Sequence, residues 1–271
     1  MEEERKSDGL FFFDPQSLKA LAEQHHAAYV NAAPFPHIVI DNFLPEDVAD
    51  RVVREFPLPE TIAWKDKTHE HSKKLACQDE TKMPPFLRQV FFQFNGHACI
   101  RFLEGLTGIK GLIPDPHLEG GGLHQIQPGG YLDVHADFNR QVELMLDRRL
   151  NLLLYLNKDW REEYGGHLEL WNKDMTKCGK RVLPIFNRCV VFSTSDFSYH
   201  GHPQPLTSPP GVTRKSLALY YYTNGRPVQE VSSAHSTLYQ SRPGEQNASR
   251  KAFIKKLIPP ILYDIRHFFL R

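Results

Sequence analysis

The sequence contains little cysteine, almost no net charge and no long apolar run. Its four cysteines include no Cys-x-x-Cys pair, so neither a disulfide framework nor a structural zinc site is expected for Cys77, Cys99, Cys178 and Cys189. A formal net charge of +1 across 271 residues gives no overall field that would attract nucleic acid. The first residues are acidic and polar, and no apolar stretch reaches membrane-spanning length. We therefore expect a cytoplasmic protein with reduced thiols.

Two histidines and an aspartate have the spacing of metal ligands. His135 and Asp137 lie two residues apart in a β-type run, which places them on one face of a strand while Val134 and Ala136 face the opposite layer. A third ligand must come from a distant strand, and the β-rich run that starts at residue 189 ends in His200, with His202 as the alternative. Two imidazoles and one carboxylate with open positions are the ligand set of non-haem Fe(II) oxygenases.

An arginine opens the last β-rich segment, residues 214–222. Arg214 follows a Pro-Pro-Gly loop, and Ser216 shares its strand face. A planar guanidinium binds a carboxylate through two parallel hydrogen bonds, which a lysine cannot do in the same geometry. The pattern indicates an anchor for an acidic co-substrate near the metal.

The chain from residue 120 onward is typical of a β-sandwich or barrel, because short β-rich segments alternate with Gly, Pro and Asn/Asp signals. Helices are predicted upstream for residues 15–30, 45–56 and 86–106, with a polar connection at 57–82. We predict a mainly β fold with flanking helices and a double-stranded β-helix, or jelly-roll, core. Its strands are predicted at residues 122–127, 131–136, 150–157, 166–171, 180–184, 189–193, 198–202 and 214–222.

The order of these motifs resembles the catalytic core of the Fe(II)/2-oxoglutarate-dependent dioxygenases, and it is most similar to their prolyl 4-hydroxylase-like branch. The likeness includes the run from Tyr155 to Trp160, the pair Gly165-Gly166, and the Phe-Ser-x-x-Asp run of residues 192–196. The upstream run from Phe35 to Leu44 looks like the strand that precedes the first helix in these enzymes. The resemblance covers about residues 35–225.

The resemblance implies a role for each matching residue. It makes His135, Asp137 and His200 the iron ligands, and it makes Arg214 the partner of the far carboxylate of 2-oxoglutarate, to which Tyr155 would donate a hydrogen bond. Ser216 would support the binding of the same carboxylate. The implied cofactors are Fe(II), 2-oxoglutarate and O2. The implied reaction is hydroxylation of an unactivated aliphatic carbon, with a prolyl residue or a free amino acid as the nearest substrate classes.

Substrate choice is assigned to the polar segment 139–149, which follows the metal carboxylate and is predicted to be a lid or substrate loop. The candidate substrate contacts are Gln125, Asn139, Arg140 and Trp171. Two other functions fit the same fold. A demethylase of alkylated nucleic-acid bases would need a basic, aromatic-lined surface that this near-neutral chain does not offer. A non-catalytic metal-binding jelly-roll protein would have no need of Arg214.

One domain is expected for residues 1–271. Residues 1–110 would supply the N-terminal helices and the first strand, and residues 120–225 the jelly-roll core. Residues 249–271 are predicted to form a basic amphipathic helix. Packing on the protein itself or on a second subunit is favoured for this helix over contact with an anionic membrane surface. The oligomeric state is left open.

Overall fold

The computed structural model of the protein describes residues 11–243. Within this range no helix is both long and apolar enough to cross a membrane. The C-terminal helix expected at residues 249–271 lies outside the described residues. The helices are α1 (Pro15–Val30), α2 (Glu46–Glu55), α3 (Pro85–Phe94) and α4 (His97–Thr107). The strands are β1 (His37–Ile40), β2 (Lys65–Asp66), β3 (Leu75–Cys77), β4 (Ile113–Pro114), β5 (Gly122–Ile126), β6 (Leu132–Ala136), β7 (Arg140–Gln141), β8 (Leu146–Tyr155), β9 (Leu168–Trp171), β10 (Cys178–Val182), β11 (Arg188–Ser193), β12 (His200–His202), β13 (Arg214–Thr223) and β14 (Leu238–Tyr239).

The strands form two antiparallel sheets. The major sheet has the order β1-β11-β8-β13-β5-β3-β2, with β4 attached to β13 and β7 to β8, and the minor sheet has the order β10-β9-β12-β6-β14. Tyr155 and Phe192 of the major sheet pack against Leu168 and Leu170 of the minor sheet. All eight predicted strands are present, and the predicted jelly-roll core is confirmed.

The helices cover the outer face of the major sheet, because every second side chain of its long central strands points to that face and is apolar. Leu150, Leu152 and Leu154 of β8 join a cluster with Phe94 and Phe102 of the helices. Full burial of such a side chain stabilises the fold by about 1.5–3 kcal/mol. The alternate residues of β8 face the minor sheet and are free to build a site.

The amphipathic helix predicted at residues 86–106 is two helices, α3 and α4. Asn95 ends α3, and Gly96 has an extended backbone, with φ −80° and ψ 166°, before α4 begins. Glycine is among the poorest helix formers because it loses the most backbone entropy. Both helices nevertheless bury the predicted apolar stripe.

The polar connection predicted at residues 57–82 contains a hairpin of β2 and β3. Its second strand extends the major sheet beyond β5, with Leu75 opposite Gln125 and Ala76 opposite His124. The lid predicted at residues 139–149 is also a hairpin, in which Arg140 of β7 lies opposite Asp147 of β8. Strands of two or three residues are too short to show a period in the sequence.

None of the four cysteines, all of which lie in the described range, forms a disulfide. Cys77, Cys99 and Cys189 are buried and Cys178 is partly buried. The expectation of reduced thiols agrees with this arrangement.

Candidate active site

His135, Asp137 and His200 come together between the two sheets. His135 of β6 and His200 of β12 are direct partners in the register of adjacent strands, and Asp137 follows the end of β6. The Nε2 atoms of His135 and His200 lie 3.6 and 3.4 Å from the Asp137 carboxylate. One potential ligand atom from each residue lies within 4.8 Å of the others, the only such group of three among residues 11–243.

Both imidazoles have the tautomer that a metal site needs. The Nδ1 atom of His135 lies 2.8 Å from the carbonyl oxygen of Asp133, and that of His200 lies 2.9 Å from the carbonyl oxygen of Ser198. A carbonyl oxygen can only accept, so each Nδ1 donates, and in the neutral imidazole Nε2 then keeps a lone pair for a metal. Burial lowers the pKa of His200 to about 4, against the opposing charge of Asp137, so this ring is neutral at pH 7. The donor set fits a divalent metal ion.

Arg148 and Asn151, which the sequence analysis did not identify, hold Asp137. Arg148 Nη2 lies 3.0 Å from Asp137 Oδ2, and Asn151 Nδ2 donates to the same oxygen at 2.7 Å. The Arg148 guanidinium also donates to Asn151 Oδ1 and stacks 3.5 Å from the ring centroid of Tyr220. Burial alone would raise the pKa of Asp137, but the Arg148 guanidinium, together with the neighbouring imidazoles, holds it well below its usual range. Asp137 is therefore a carboxylate.

The structure brings His200, and not His202, to the triad. A register shift separates the two histidines on β12, and His202 pairs with Leu132 instead of facing His135. Gly201 between them has no room for a side chain, because a Cβ would lie 2.8 Å from the carbonyl oxygens of Leu132 and Asp133. His202 still lines the same cavity, and neither of its ring nitrogens has a hydrogen-bond partner.

Arg214 and Tyr155 form a second polar group in this cavity. Arg214 Nε donates to the carbonyl oxygen of Gly166 at 2.8 Å, and its Nη2 donates to the Tyr155 hydroxyl at 3.2 Å. Gly166 permits this approach, because it has φ +71° and a Cβ there would lie 3.0 Å from Arg214 Cδ. Burial raises the pKa of Tyr155 and Arg214 opposes the shift, so the phenol keeps its proton. Ser216, two residues along β13 from Arg214, lines the same cavity.

The cavity has a volume of about 280 Å³ and contains both groups. Apolar side chains on its walls, Ile126, Leu132, Leu153 and Leu168, alternate with the polar ones. Lys67 and Lys74 of the β2–β3 hairpin line it as well. The arrangement suits a small anionic ligand held between a metal and a buried arginine.

Two of the predicted substrate contacts have structural partners and lie outside the cavity lining. Gln125 is fully buried, donates to the carbonyl oxygen of Pro57 and accepts from Thr213. Asn139 donates to Ser232 and to the backbone of Ser233, and its Oδ1 accepts from the amide of His235. Gln125 faces away because the strand period puts His124 on the cavity side of β5. The structure therefore does not bring Gln125 or Asn139 to the metal cavity, and their contact with substrate stays a prediction.

The other two predicted contacts are also outside the metal cavity. Arg140 lines a neighbouring surface cavity with Glu119 and His235. Trp171 packs with Val134 and Ala136 on the opposite face of the minor sheet, and its Nε1 donates to Glu169. The strand period places Trp171 on that face, so a role for it in contacting substrate is not supported.

Residues 121–222 match the family described as the 2OG-Fe(II) oxygenase superfamily. The matching segment contains the triad, Tyr155 and Arg214. Among curated proteins, the chain is 24% identical over 207 residues to the mouse prolyl 3-hydroxylase OGFOD1, covering 73% of this chain and 34% of the relative. The chain thus spans about a third of that relative's length.

Solved structures share the fold. A prolyl hydroxylase from Trichoplax adhaerens, in complex with a hypoxia inducible factor peptide fragment, superposes with a TM-score of 0.55 at 16% identity, covering 76% of this chain and 91% of the other. A prolyl-4-hydroxylase from Pseudomonas putida gives a TM-score of 0.53 at 17% identity, covering 75% and 99%. The segment that contains the triad thus matches the 2OG-Fe(II) oxygenase superfamily, and the chain shares the fold of these prolyl hydroxylases.

Proposed function

We propose that the protein is an Fe(II)- and 2-oxoglutarate-dependent hydroxylase of an unactivated aliphatic carbon. The observation that carries the proposal is the presence, in one cavity, of a His-Asp-His ligand group and a buried arginine with a tyrosine partner. A prolyl residue of a peptide is the nearest substrate class, because the mouse relative is named a prolyl 3-hydroxylase and the Trichoplax enzyme was solved with a peptide fragment. A free amino acid is the alternative.

His135, Asp137 and His200 would hold the iron. The two Nε2 atoms and the carboxylate lie close together before any metal binds, so binding requires little rearrangement. Three protein ligands leave positions open for co-substrate and O2. Bound Fe(II) would supply the activation of O2, with 2-oxoglutarate as the electron donor that becomes succinate and carbon dioxide.

Arg214 and Tyr155 would position the far carboxylate of 2-oxoglutarate. The guanidinium is fixed in place by its hydrogen bond to Gly166, and the Tyr155 hydroxyl, which accepts from Arg214, has its own proton to donate to a carboxylate. The apolar walls would exclude water from the reacting centre. No side chain is required as a strong general base.

The test is an anaerobic titration of the metal-free protein with Fe(II) and then 2-oxoglutarate, followed through the visible charge-transfer band of the chelate. We expect the band in the wild type, its loss in His135→Ala, and a much weaker affinity for 2-oxoglutarate in Arg214→Ala. His167→Ala is the matched histidine control, because His167 is buried and paired with Glu162 outside the cavity.

Wild-type protein that binds the metal without developing the band would overturn the oxygenase proposal and favour a non-catalytic metal-binding protein. If the band forms, release of succinate in the presence of O2 and candidate peptides or amino acids would then identify the substrate.

A further inference from the structure

Two lysines face each other on the cavity side of the β2–β3 hairpin. Lys65 and Asp66 pair with Ala76 and Leu75, and the amide of Lys67 donates to the carbonyl oxygen of Lys74 at 2.9 Å. Lys67 and Lys74 are therefore opposite each other across the hairpin, and both line the cavity that contains the triad. Like charges directly opposite on neighbouring strands are destabilising. An anion bound between them would offset that cost.

The cavity does not neutralise these charges itself. Among residues 11–243, the lysines in ion pairs with acids are Lys19, Lys82 and Lys158, none of which lines the cavity. Asp137 is the one carboxylate in the cavity lining of the described chain, and Arg148 and Asn151 already bind it. Glu119 influences Lys67 only from beyond ion-pair distance. The cavity lining thus has four cationic side chains and one anionic one.

His202 is an independent sign of a missing ligand. Its side chain is 4% exposed and lines this cavity, yet both ring nitrogens are buried without a hydrogen-bond partner. An unsatisfied buried polar group destabilises the fold, so such groups are rare unless a ligand or water supplies the missing hydrogen bond. Burial lowers the pKa of His202, and the charges of Arg214 and Lys74 act in the same direction.

The co-substrate alone does not account for this set of donors. If the proposed function holds, one carboxylate of 2-oxoglutarate lies at the metal and the other at Arg214 and Tyr155. Both of its acidic groups are then bound without Lys67 or Lys74. No carboxylate lies within ion-pair distance of Lys74 in the described chain, and burial lowers its pKa to about 8, with Asp137 acting against this shift and Lys67, Arg214 and Arg148 acting with it.

We infer that Lys67, Lys74 and His202 form a second anion subsite, which binds a carboxylate or phosphate group of the primary substrate while 2-oxoglutarate occupies Arg214. The inference rests on the proposed function, and it narrows the primary substrate to molecules that carry a carboxylate or phosphate group. A peptide substrate would carry its acidic group close to the oxidised carbon, and a free amino acid would present its own carboxylate.

The experiment measures two affinities of the full chain under anaerobic conditions. The first is that of the Fe(II)-loaded protein for 2-oxoglutarate, from the charge-transfer band. The second is the affinity for inorganic phosphate, measured by calorimetry on the protein saturated with Fe(II) and 2-oxoglutarate. A parallel arm measures the affinity for acetate in the same way. The variant is Lys67→Gln with Lys74→Gln. The matched control is Lys65→Gln with Lys73→Gln, which removes the same charge from exposed positions of the same hairpin outside the cavity lining.

We expect the Lys67/Lys74 variant to bind 2-oxoglutarate within about twofold of wild type but phosphate or acetate at least about tenfold more weakly, as expected for lost charge-assisted hydrogen bonds. The Lys65/Lys73 control variant should bind 2-oxoglutarate and the two anions with the same affinities as wild type. Comparison of phosphate with acetate shows which acidic group the subsite prefers.

Equal binding of both anions by wild type and variant would overturn the subsite. A loss of 2-oxoglutarate affinity in the variant as large as that in Arg214→Gln would also overturn it, because the lysines would then serve the co-substrate. A wild type without any Fe(II)–2-oxoglutarate band would instead refute the proposed function, and phosphate calorimetry on the metal-free protein would still test the subsite.

Discussion

Arg148 and Asp137 form a buried ion pair, with 3.0 Å between Nη2 and Oδ2. Arg148 is 1% exposed, and its guanidinium lies between this carboxylate, the Asn151 amide and the ring of Tyr220. The carboxylate that would bind the metal is thus oriented by a fixed positive charge behind it. The same charge keeps Asp137 ionised when no metal is bound.

Replacement of Arg148 should destabilise the fold strongly. We expect Arg148→Met to lower the free energy of unfolding by about 3–5 kcal/mol, because it leaves Asp137 buried without its counter-charge. Urea denaturation of the metal-free protein at pH 7 measures the change. Arg54→Met, at an exposed position on α2, should have little effect. A similar small change in both variants would show that the ion pair contributes little.

His200 and His202 should differ in their effect on metal affinity. We expect His200→Ala to weaken Fe(II) binding by at least about a hundredfold. Loss of a residue that only supports a metal ligand costs up to about a hundredfold in metal affinity, and His200→Ala removes a ligand itself. His202→Ala should bind Fe(II) almost as well as wild type, since its ring nitrogens do not join the triad. Anaerobic calorimetry measures both affinities. The reverse ranking would assign the metal to His202.

The metal-free protein should lose stability as the pH falls from 6.5 to 4. Burial lowers the pKa of His200 from about 6.5 to about 4, and it also lowers the pKa values of His37, His124 and His202. In this window the unfolded chain binds more protons than the folded one, so the free energy of unfolding decreases as acid is added.

The contribution of His200 alone is at most about 3 kcal/mol. Urea denaturation at a series of pH values should show a shallower dependence for His200→Gln than for wild type. The exposed His97 provides the control, and His97→Gln should keep the wild-type slope. A wild-type profile that is flat between pH 6.5 and 4 would contradict the expectation.

Gly166→Ala should weaken 2-oxoglutarate binding. A Cβ at this position would lie 2.7 Å from Leu206 Cδ2 and 3.0 Å from Arg214 Cδ, so the arginine has to move. Gly165→Ala is a matched control, because Gly165 also has positive φ, +70°, but nothing lies within 4 Å of its added Cβ.

Both substitutions should reduce stability by about 1–3 kcal/mol through backbone strain. Only Gly166→Ala should raise the dissociation constant for 2-oxoglutarate, as measured from the charge-transfer band. Equal affinities in the two variants would mean that the position of Arg214 does not depend on Gly166.

Periodicity in the sequence was sufficient for the eight core strands and for the shared face of His135 and Asp137, whereas the choice of His200 over His202 also needed the family resemblance. Steps of two along β8 also lead from Tyr155 through Leu153 to Asn151, so this partner of Asp137 was open to prediction. Arg148 was not. Between Tyr221 and Tyr222 of β13 the register shifts, so that Arg148 follows Leu150 as the next paired residue of β8. Such a bulge changes the sheet face to which a side chain points, and the alternation of apolar and polar residues in the sequence does not reveal it.

The lysine pair was missed for a different reason. Lys67 and Lys74 lie just beyond the ends of strands of two and three residues, and these short strands depend on the pairing of β3 with the edge of β5. Arg214, Tyr155 and the triad are close together as the sequence led us to expect, and their roles in binding iron and 2-oxoglutarate stay predictions. The cytoplasmic location, and the packing of residues 249–271 on protein in preference to a membrane surface, also stay predictions.

Strand β14 has a consequence for how a peptide reaches the triad. Leu238 and Tyr239 pair with Ala136 and His135, so the outer backbone edge of the strand that bears the first metal ligand is already hydrogen-bonded. A peptide cannot extend the minor sheet at β6 by strand addition while these two residues remain in place. A peptide substrate must therefore approach with a bend that presents one side chain to the cavity, or compete with residues 238–239 for the same amide and carbonyl groups.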